Sequence, residues 1–518
     1  MRIRGIGILI ATHFSTTAWA RDVPVTNATE LLAAVQSAQP GDVILLSAGD
    51  YDLGNVTCSV SGTATEPIVV RSVPARAAHV RFSGLEGFRV QGAHWHFEDL
   101  HISGVCPTDD DCEHAFHVTG AADGFVLRGS RVEDFNAQLK VNAANVDGTW
   151  RTPNNGLIEG NDLGDTRPRS TSNPVTKLNI DTGDDWIVRA NILHDFHKDG
   201  GNGISYGAFM KSGGQRGIFE RNLVLCTRDV DTGGTRIGLS FGGGGTAPQY
   251  CAPAFDAQVP CNVEHRDGIM RNNIIANCSD VGIYLNRAAN SRILHNTLVA
   301  TSGVDFRFDT TTGEAAGNVH TGQIRNRDGA THTAANNLQV DESTFTTWYP
   351  APLVGDLRPT GDVSSLVGAA PAHALVTDDY CARARPSSSV TLGALEHSLG
   401  SCDTLVPPLR GELPDAGPMD AAVSPGPDGG PTADASTPRD SGTPPSDSGA
   451  IPPDAAVATT PDSGAVLPDA SVALTSDGGD SGSPATPRCA CATPSAGAPT
   501  GMLVLCVAWR FRRRLTSA

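Results

Sequence analysis

Two stripes of polar side chains carry most of the chemistry this sequence offers. When short apolar segments are aligned on a recurring asparagine, Lys140, Asn179, Tyr284, Arg307 and Arg325 fall into one outward column. Asn142, Asp181, Lys211, Asn286, Asp309 and Arg327 fall into the next. Cations beside amides and a phenol can neutralise a row of carboxylates and bond its hydroxyls, so the mixture suits an anionic glycan. An ordinary solvated face would also carry Lys and Asp, and that reading stands beside the first. Breaking such a polymer by β-elimination requires a group that neutralises the uronate carboxylate, a base for the C5 proton and an acid for the leaving oxygen. Asp181, with Asp184 and Asp185 and the Asn179 amide beside them, offers carboxylates for hydrolysis instead. That reaction needs two carboxyls roughly 5 to 9.5 Å apart, and here they crowd one segment and its corner. His94, His96, His101, His114 and His117 could ligate a metal, but surface or stacked imidazoles are the commoner use. No paired CxxC motif or Cys/His zinc spacing occurs, so no metal is assigned.

The elements that must position these residues are repeats. Trp186-Ile-Val-Arg-Ala-Asn191, Gly217-Ile-Phe-Glu-Arg-Asn222, Gly268-Ile-Met-Arg-Asn-Asn273 and Arg292-Ile-Leu-His-Asn296 share one pattern, with an earlier copy ending at Asn161. A motif returning every 20 to 30 residues or so marks a solenoid. Lys177–Asp181, Gly282–Asn286, Asp305–Asp309 and Gln323–Arg327 alternate apolar and polar residues, as strands with one buried face do. Short strands with Gly and Asn at the corners predict an all-β, right-handed parallel β-helix over residues 21–345. The asparagines are expected to stack as an internal ladder at a tight corner, where Asn tolerates left-handed backbone.

Asn27-Ala-Thr-Glu30 reads as a capping box opening a helix, with Leu31, Leu32, Ala34, Val35 and Ala38 on its apolar face. That helix would cap the entry of the solenoid, with Asp42–Leu46 as a first strand. Two insertions break the period, Cys106–Cys112 and the Gly-rich stretch from Gly242 to Glu264; such excursions often wall a groove. Residues 346–405 are expected to cover the last coil.

The ends differ in composition from the body. Arg2 and Arg4, the apolar run Ile6–Ala11 and Ala18-Trp19-Ala20 predict a signal peptide over residues 1–20. The twelve cysteines then suit disulfides outside the cytoplasm, with close spacing pairing Cys106–Cys112, Cys251–Cys261 and Cys381–Cys402, and Cys226–Cys278 bridging coils. The net charge of −18 argues against nucleic acid, although eleven Asp and one Arg between Asp415 and Asp480 supply more than half of it. Residues 406–487, built of Pro, Asp, Ala, Gly and Ser, cannot bury a core and read as a disordered linker. Residues 488–518 carry Cys489 and Cys491, a short apolar run and Arg510-Phe-Arg-Arg-Arg514. This order resembles the myxobacterial type of C-terminal sorting signal, which implies export, processing and an outer-surface or secreted protein.

Glu30–Tyr51 and Ser61-Gly-Thr-Ala-Thr-Glu-Pro-Ile-Val-Val-Arg-Ser72 resemble the entry segment of the polysaccharide-lyase family that contains chondroitinase B and alginate lyases. The likeness is specific over residues 27–84 and one of coil geometry to about residue 340. It implies action on an acidic polysaccharide, a Lys base, an Arg one coil on, and calcium held by Asn and Glu. Phe209-Met-Lys211-Ser resembles the strand that carries the base, which singles out Lys211. The expected acidic positions before it fall at Ile204 and Tyr206, which cannot chelate calcium, and the neighbouring strand offers no matching Arg. Arg236 and Arg307 are the possible substitutes, both out of register. Asp181 and its neighbours are similar to the carboxylates of polygalacturonases, the hydrolytic alternative. A non-catalytic glycan-binding or adhesion protein is the other. Calcium stays a possible cofactor, and the chain is expected to be a monomer.

Overall fold

Strand pairing between the stacked coils is parallel, and it follows the repeat. A computed structural model describes residues 21–230, 233–243 and 245–405. The expected signal peptide, linker and sorting tail lie outside the described residues.

Ten short strands stack into one parallel sheet. They are β1 Val56–Cys58, β2 Glu86–Val90, β3 His114–Thr119, β4 Ala137–Asn142, β5 Val175–Asp181, β6 Ile204–Lys211, β7 Thr235–Phe241, β8 Ile283–Asn286, β9 Gly303–Arg307 and β10 Gln323–Arg327. A further 21 strands join into one sheet, because Asp42–Leu53 and Ile68–Phe82 are long enough to bend across two faces. Beyond them it divides into two ladders, such as Ile187–Arg189 on Ile218–Glu220 and Ile192–His194 on Leu223–Leu225. The result is the right-handed parallel β-helix, three faces around one core. Early coils fill that core with rings, Phe88 stacking on Phe116 and packing against Phe97. Later coils fill it with aliphatic side chains such as Ile275, Ile293 and Leu298.

The asparagine ladder is present and longer than expected, running Asn161, Asn191, Asn222, Asn273, Asn296, Asn318 and Asn337. Each Oδ1 accepts the backbone N–H and the Nδ2 of the previous asparagine, while each Nδ2 also donates to a carbonyl such as Val188 O. Buried corner groups are thereby satisfied where strand pairing is interrupted. The left-handed residue is the one before each asparagine (Ala190, Arg221, Asn272, His295), so the asparagines bond the corner and their neighbours bend it.

The helix α1 (Ala28–Gln36) begins at Asn27, whose side chain accepts the Glu30 N–H at 3.0 Å. The Glu30 carboxylate closes the box on Thr26 N at 2.7 Å rather than on the cap itself. A strand the sequence did not betray, Arg21–Val25, precedes it and pairs with Asp42–Leu46. All four expected disulfides are formed.

The segment after α2 (Glu342–Trp348) corrects one expectation. Residues 346–405 reach Leu338 and Val340 of the last coil but extend well beyond it along a flank. Phe345, Trp348, Tyr380 and Leu392 cluster with Leu223, Ile274, Val299 and Val319. Arg385 Nη2 donates to Asn272 Oδ1 at 3.1 Å and Ala394 N to Thr297 Oγ1 at 2.9 Å. The flank offers exposed apolar side chains over four coils, and that area is what the segment buries.

Candidate active site

The outer face of the ten-stranded sheet gathers the polar columns, with corrections. Pairing places Lys140, Asn179, Phe209, Ser240, Tyr284, Asp305 and Arg325 in one column. Arg307 pairs with Asn286 and Arg327, so it belongs to the second column, two residues from its expected place. Asp309 lies beyond the end of β9 and joins neither. The error arose because the loops before β8 and β9 differ in length, so alignment on the asparagine slips by one side-chain pair.

Asp181 at the end of β5 is the hub. Lys140 Nζ donates to its Oδ2 at 2.8 Å and to Asn179 Oδ1 at 3.2 Å. Lys211 Nζ stands 3.5 Å from Asp181 Oδ1, and the Ser212 hydroxyl donates to that same oxygen. Burial would raise the Asp181 carboxyl, but the two ammonium groups and the bonds from Lys140 and Ser212 hold it well below the usual carboxylate range. Burial lowers the Lys140 ammonium, against the pull of Asp181. The lysine pair is held at 14% and 10% side-chain exposure, enough for a ligand to touch.

Farther along the face, Tyr284 Oη accepts from Arg307 Nη1 at 3.0 Å and from Asn286 Nδ2 at 3.4 Å. Arg307 also pairs with Asp328 Oδ2 at 2.5 Å. Arg307 stands three strands from Lys211, roughly 14 Å along the axis at ordinary strand spacing. The two therefore cannot grip one sugar ring. Arg236 is also displaced: it is buried beside His197 Nδ1 at 3.4 Å, at the far end of β7 from Lys211. Gly242 occupies the position beside Lys211, its N–H bonded to Met210 O at 2.8 Å. Arg325 and Arg327 share Asp305, at 2.5 and 2.8 Å, which neutralises one of their two charges at the exposed end.

One side of the face is walled. The Gly242–Glu264 excursion reaches back to an antiparallel hairpin of Ala144–Val146 and Thr149–Arg151, where Trp150 stacks on Phe255 at 4.8 Å. Glu264 ties it to the lysine strand, accepting from Ser212 N at 3.1 Å and Thr246 N at 2.7 Å. Glu264 and Ser212 escaped sequence reasoning because neither sits in a periodic position. The early histidines part company: His101 bonds Glu133 on another face, whereas His114 and His117 converge on Glu86 on this one. Asp184 and Asp185 both pair with Arg216 at the corner, away from Asp181's lysines. The hydrolytic carboxylate set is therefore not assembled around one opening.

Residues 25–148 match the family model of chondroitinase B. No curated protein matches the chain. Among solved structures, pectate lyase Pel9A is similar at 13% identity and a TM-score of 0.50, over 73% of this chain and 97% of that one. A rhamnogalacturonan lyase covers 64% of this chain and 92% of its own, at 14% identity and a TM-score of 0.43. An alginate lyase from Paenibacillus sp. str. FPU-7 covers 60% and 98%, at 15% identity and a TM-score of 0.36. The likeness to the pectate lyase is one of fold.

Proposed function

We propose that this parallel β-helix, which resembles the chondroitinase B and alginate lyase family, binds an acidic polysaccharide along its ten-stranded face and cleaves it by β-elimination. The observation that carries the reading is the pair Lys140 and Lys211 gathered on Asp181. An incoming uronate carboxylate can replace part of Asp181's hold on one ammonium, while the other amine, once neutral, takes the C5 proton; the C4=C5 double bond forms as the C4–O bond breaks, and the ammonium so formed returns the proton to the leaving oxygen. Burial lowers the Lys140 ammonium, which favours its neutral, base-competent form. Tyr284 and Arg307 lie too far along the axis for the same ring and serve as contacts for sugars farther along the polymer.

A second reading, a glycan-binding protein without catalysis, has its own support. Gly242 stands beside Lys211 where the resembled family has an Arg, and Ile204 and Tyr206 stand where it has calcium ligands. One assay separates the two. Alginate, pectate, chondroitin and hyaluronan are incubated with the purified protein, with and without calcium, while absorbance of unsaturated uronate is followed. Product that disappears in Lys211→Ala and Lys140→Ala supports cleavage. Retention on immobilised glycan with no product replaces it with the binding reading. We place the protein outside the cytoplasm, at the cell surface or released; its four disulfides suit that compartment. Mass spectrometry of exported material checks this: a chain beginning at Met1 and ending at Ala518 would refute the processing at both ends.

A further inference from the structure

Glu86, His114 and His117 reach the same point from neighbouring coils. Glu86 opens β2 and His114 opens β3 as its direct partner, while His117 pairs with Arg89. One ligand atom from each lies within 4.8 Å of the other two. His117 Nδ1 is 2.6 Å from Glu86 Oε1, and His114 Nδ1 is 3.8 Å from the same oxygen. Glu86 comes from the coil before the two histidines, so sequence spacing alone does not join it to them.

The surroundings orient each group as a ligand shell would. Asn142 Oδ1 stands 3.0 Å from His117 Nε2, so Nε2 carries the donated hydrogen and Nδ1 presents a lone pair to the carboxylate. Two acceptors at hydrogen-bond distance need a proton or a cation between them. Arg89 Nε holds the other oxygen, Glu86 Oε2, at 2.9 Å. Glu113 Oε2 lies 3.5 Å from His114 Nε2, which turns the other nitrogen inward. His114 Nδ1 is buried and, among the described residues, has no hydrogen-bond partner. A buried imidazole nitrogen aimed at a carboxylate 3.8 Å away has room for an ion rather than a proton.

We propose that Glu86 Oε1, His114 Nδ1 and His117 Nδ1 bind a divalent transition metal of the zinc class. Two imidazoles and one carboxylate are the donors such ions favour, whereas calcium and magnesium take oxygen alone. Three protein ligands leave a coordination position for water or a ligand oxygen, the arrangement of reactive rather than structural zinc sites. His117 is the strand partner of Lys140, so that position belongs to the same face as the lysine pair. Asn142, Arg89 and Glu113 are the orienting residues behind the ligands. The site does not depend on the polysaccharide reading, since a metal can bind whether or not any glycan is cleaved.

The test uses the full purified chain, stripped with chelator and titrated with Zn2+ in a calorimeter, with Co2+ absorption as a second readout. One equivalent should bind, with cobalt giving the intense visible bands of a low-coordinate nitrogen and oxygen site. Glu86→Gln and His117→Ala should each weaken binding by more than about 100-fold, and Asn142→Ala by about tenfold, as a residue behind the ligands does. Circular dichroism of each variant keeps loss of fold separate from loss of metal. Unchanged affinity in the ligand variants would place the ion elsewhere in the chain and overturn the proposal. So would preference for Ca2+ over Zn2+, or no saturable binding. Uronate release is measured in parallel, so failure of the metal site and failure of the lyase reading give different results.

Discussion

Lys140 reaches past its direct strand partner, Asn179, to set its ammonium 2.8 Å from the carboxylate of Asp181. Lys211 approaches the other oxygen from the following coil, so one buried carboxylate holds two cations. Removing it leaves like charges close together in a poorly solvated place. Asp181→Asn should cost about 3 kcal/mol of stability at neutral pH. The deficit should shrink as alkaline pH strips the proton from Lys140, whose ammonium burial already disfavours. Urea denaturation at pH 7 and in the alkaline range checks both parts, and an equal loss at both would contradict the charge argument.

The asparagine ladder makes a graded prediction. Asn222 sits inside it, fully buried, bonded to Asn191, Asn273 and the Val188 carbonyl. Asn222→Ala orphans several buried groups and should lower stability by about 3 kcal/mol. Asn337 ends the ladder half-buried, and Asn337→Ala should cost less than half as much. Comparing denaturant midpoints at constant slope decides it.

Asp195 carries the acid sensitivity of another face. Burial would raise its carboxyl, but His194 and the backbone N–H groups of Arg228, Val230 and Asp229 bring it down to about 2, from an ordinary 3.8. A carboxyl with a depressed folded value stabilises above its unfolded value and loses that contribution as pH falls through the folded one. The window therefore runs from about pH 4 down to about 2. Asp195→Asn should be less stable at neutral pH and lose less further stability across that window. Acid titration followed by circular dichroism measures the difference.

Gly156 shows how tightly the corners pack. A Cβ there would lie 2.2 Å from Trp186 Cζ3, a rigid and fully buried ring. Gly156→Ala should destabilise by about 2 kcal/mol through overpacking. Trp fluorescence during unfolding reports it, and a neutral outcome would mean that the coil shifts freely.

Trp150 is expected to hold the excursion in place through its stack on Phe255. Trp150→Ala should speed proteolytic nicking between residues 245 and 260 while leaving the melting of the solenoid nearly unchanged. Limited proteolysis beside a thermal melt separates the two effects. If the wall also confines glycan, product release or retention on glycan should fall in the same variant.

The repeat, the ladder, the cap box and the disulfide pairs were legible because each is local or periodic. Asn at a fixed return interval, Asn27 three residues before Glu30, and close cysteines need no knowledge of the whole chain. Even Cys226 and Cys278 were readable once the coil length was known. What tertiary structure alone decided is register and convergence. Loops of unequal length slide one strand against the next, which moved Arg307 into the second column and left Asp309 outside. Lys140 meets Asp181 diagonally, and Glu86 meets His117 across a coil, through side-chain reach that no linear spacing encodes. The flank position of residues 346–405 was hidden for the same reason: the apolar strip it covers is assembled from coils far apart in sequence. A solenoid writes its fold in one dimension, but its site is composed across coils, where side-chain distances depend on stacking rather than on sequence separation.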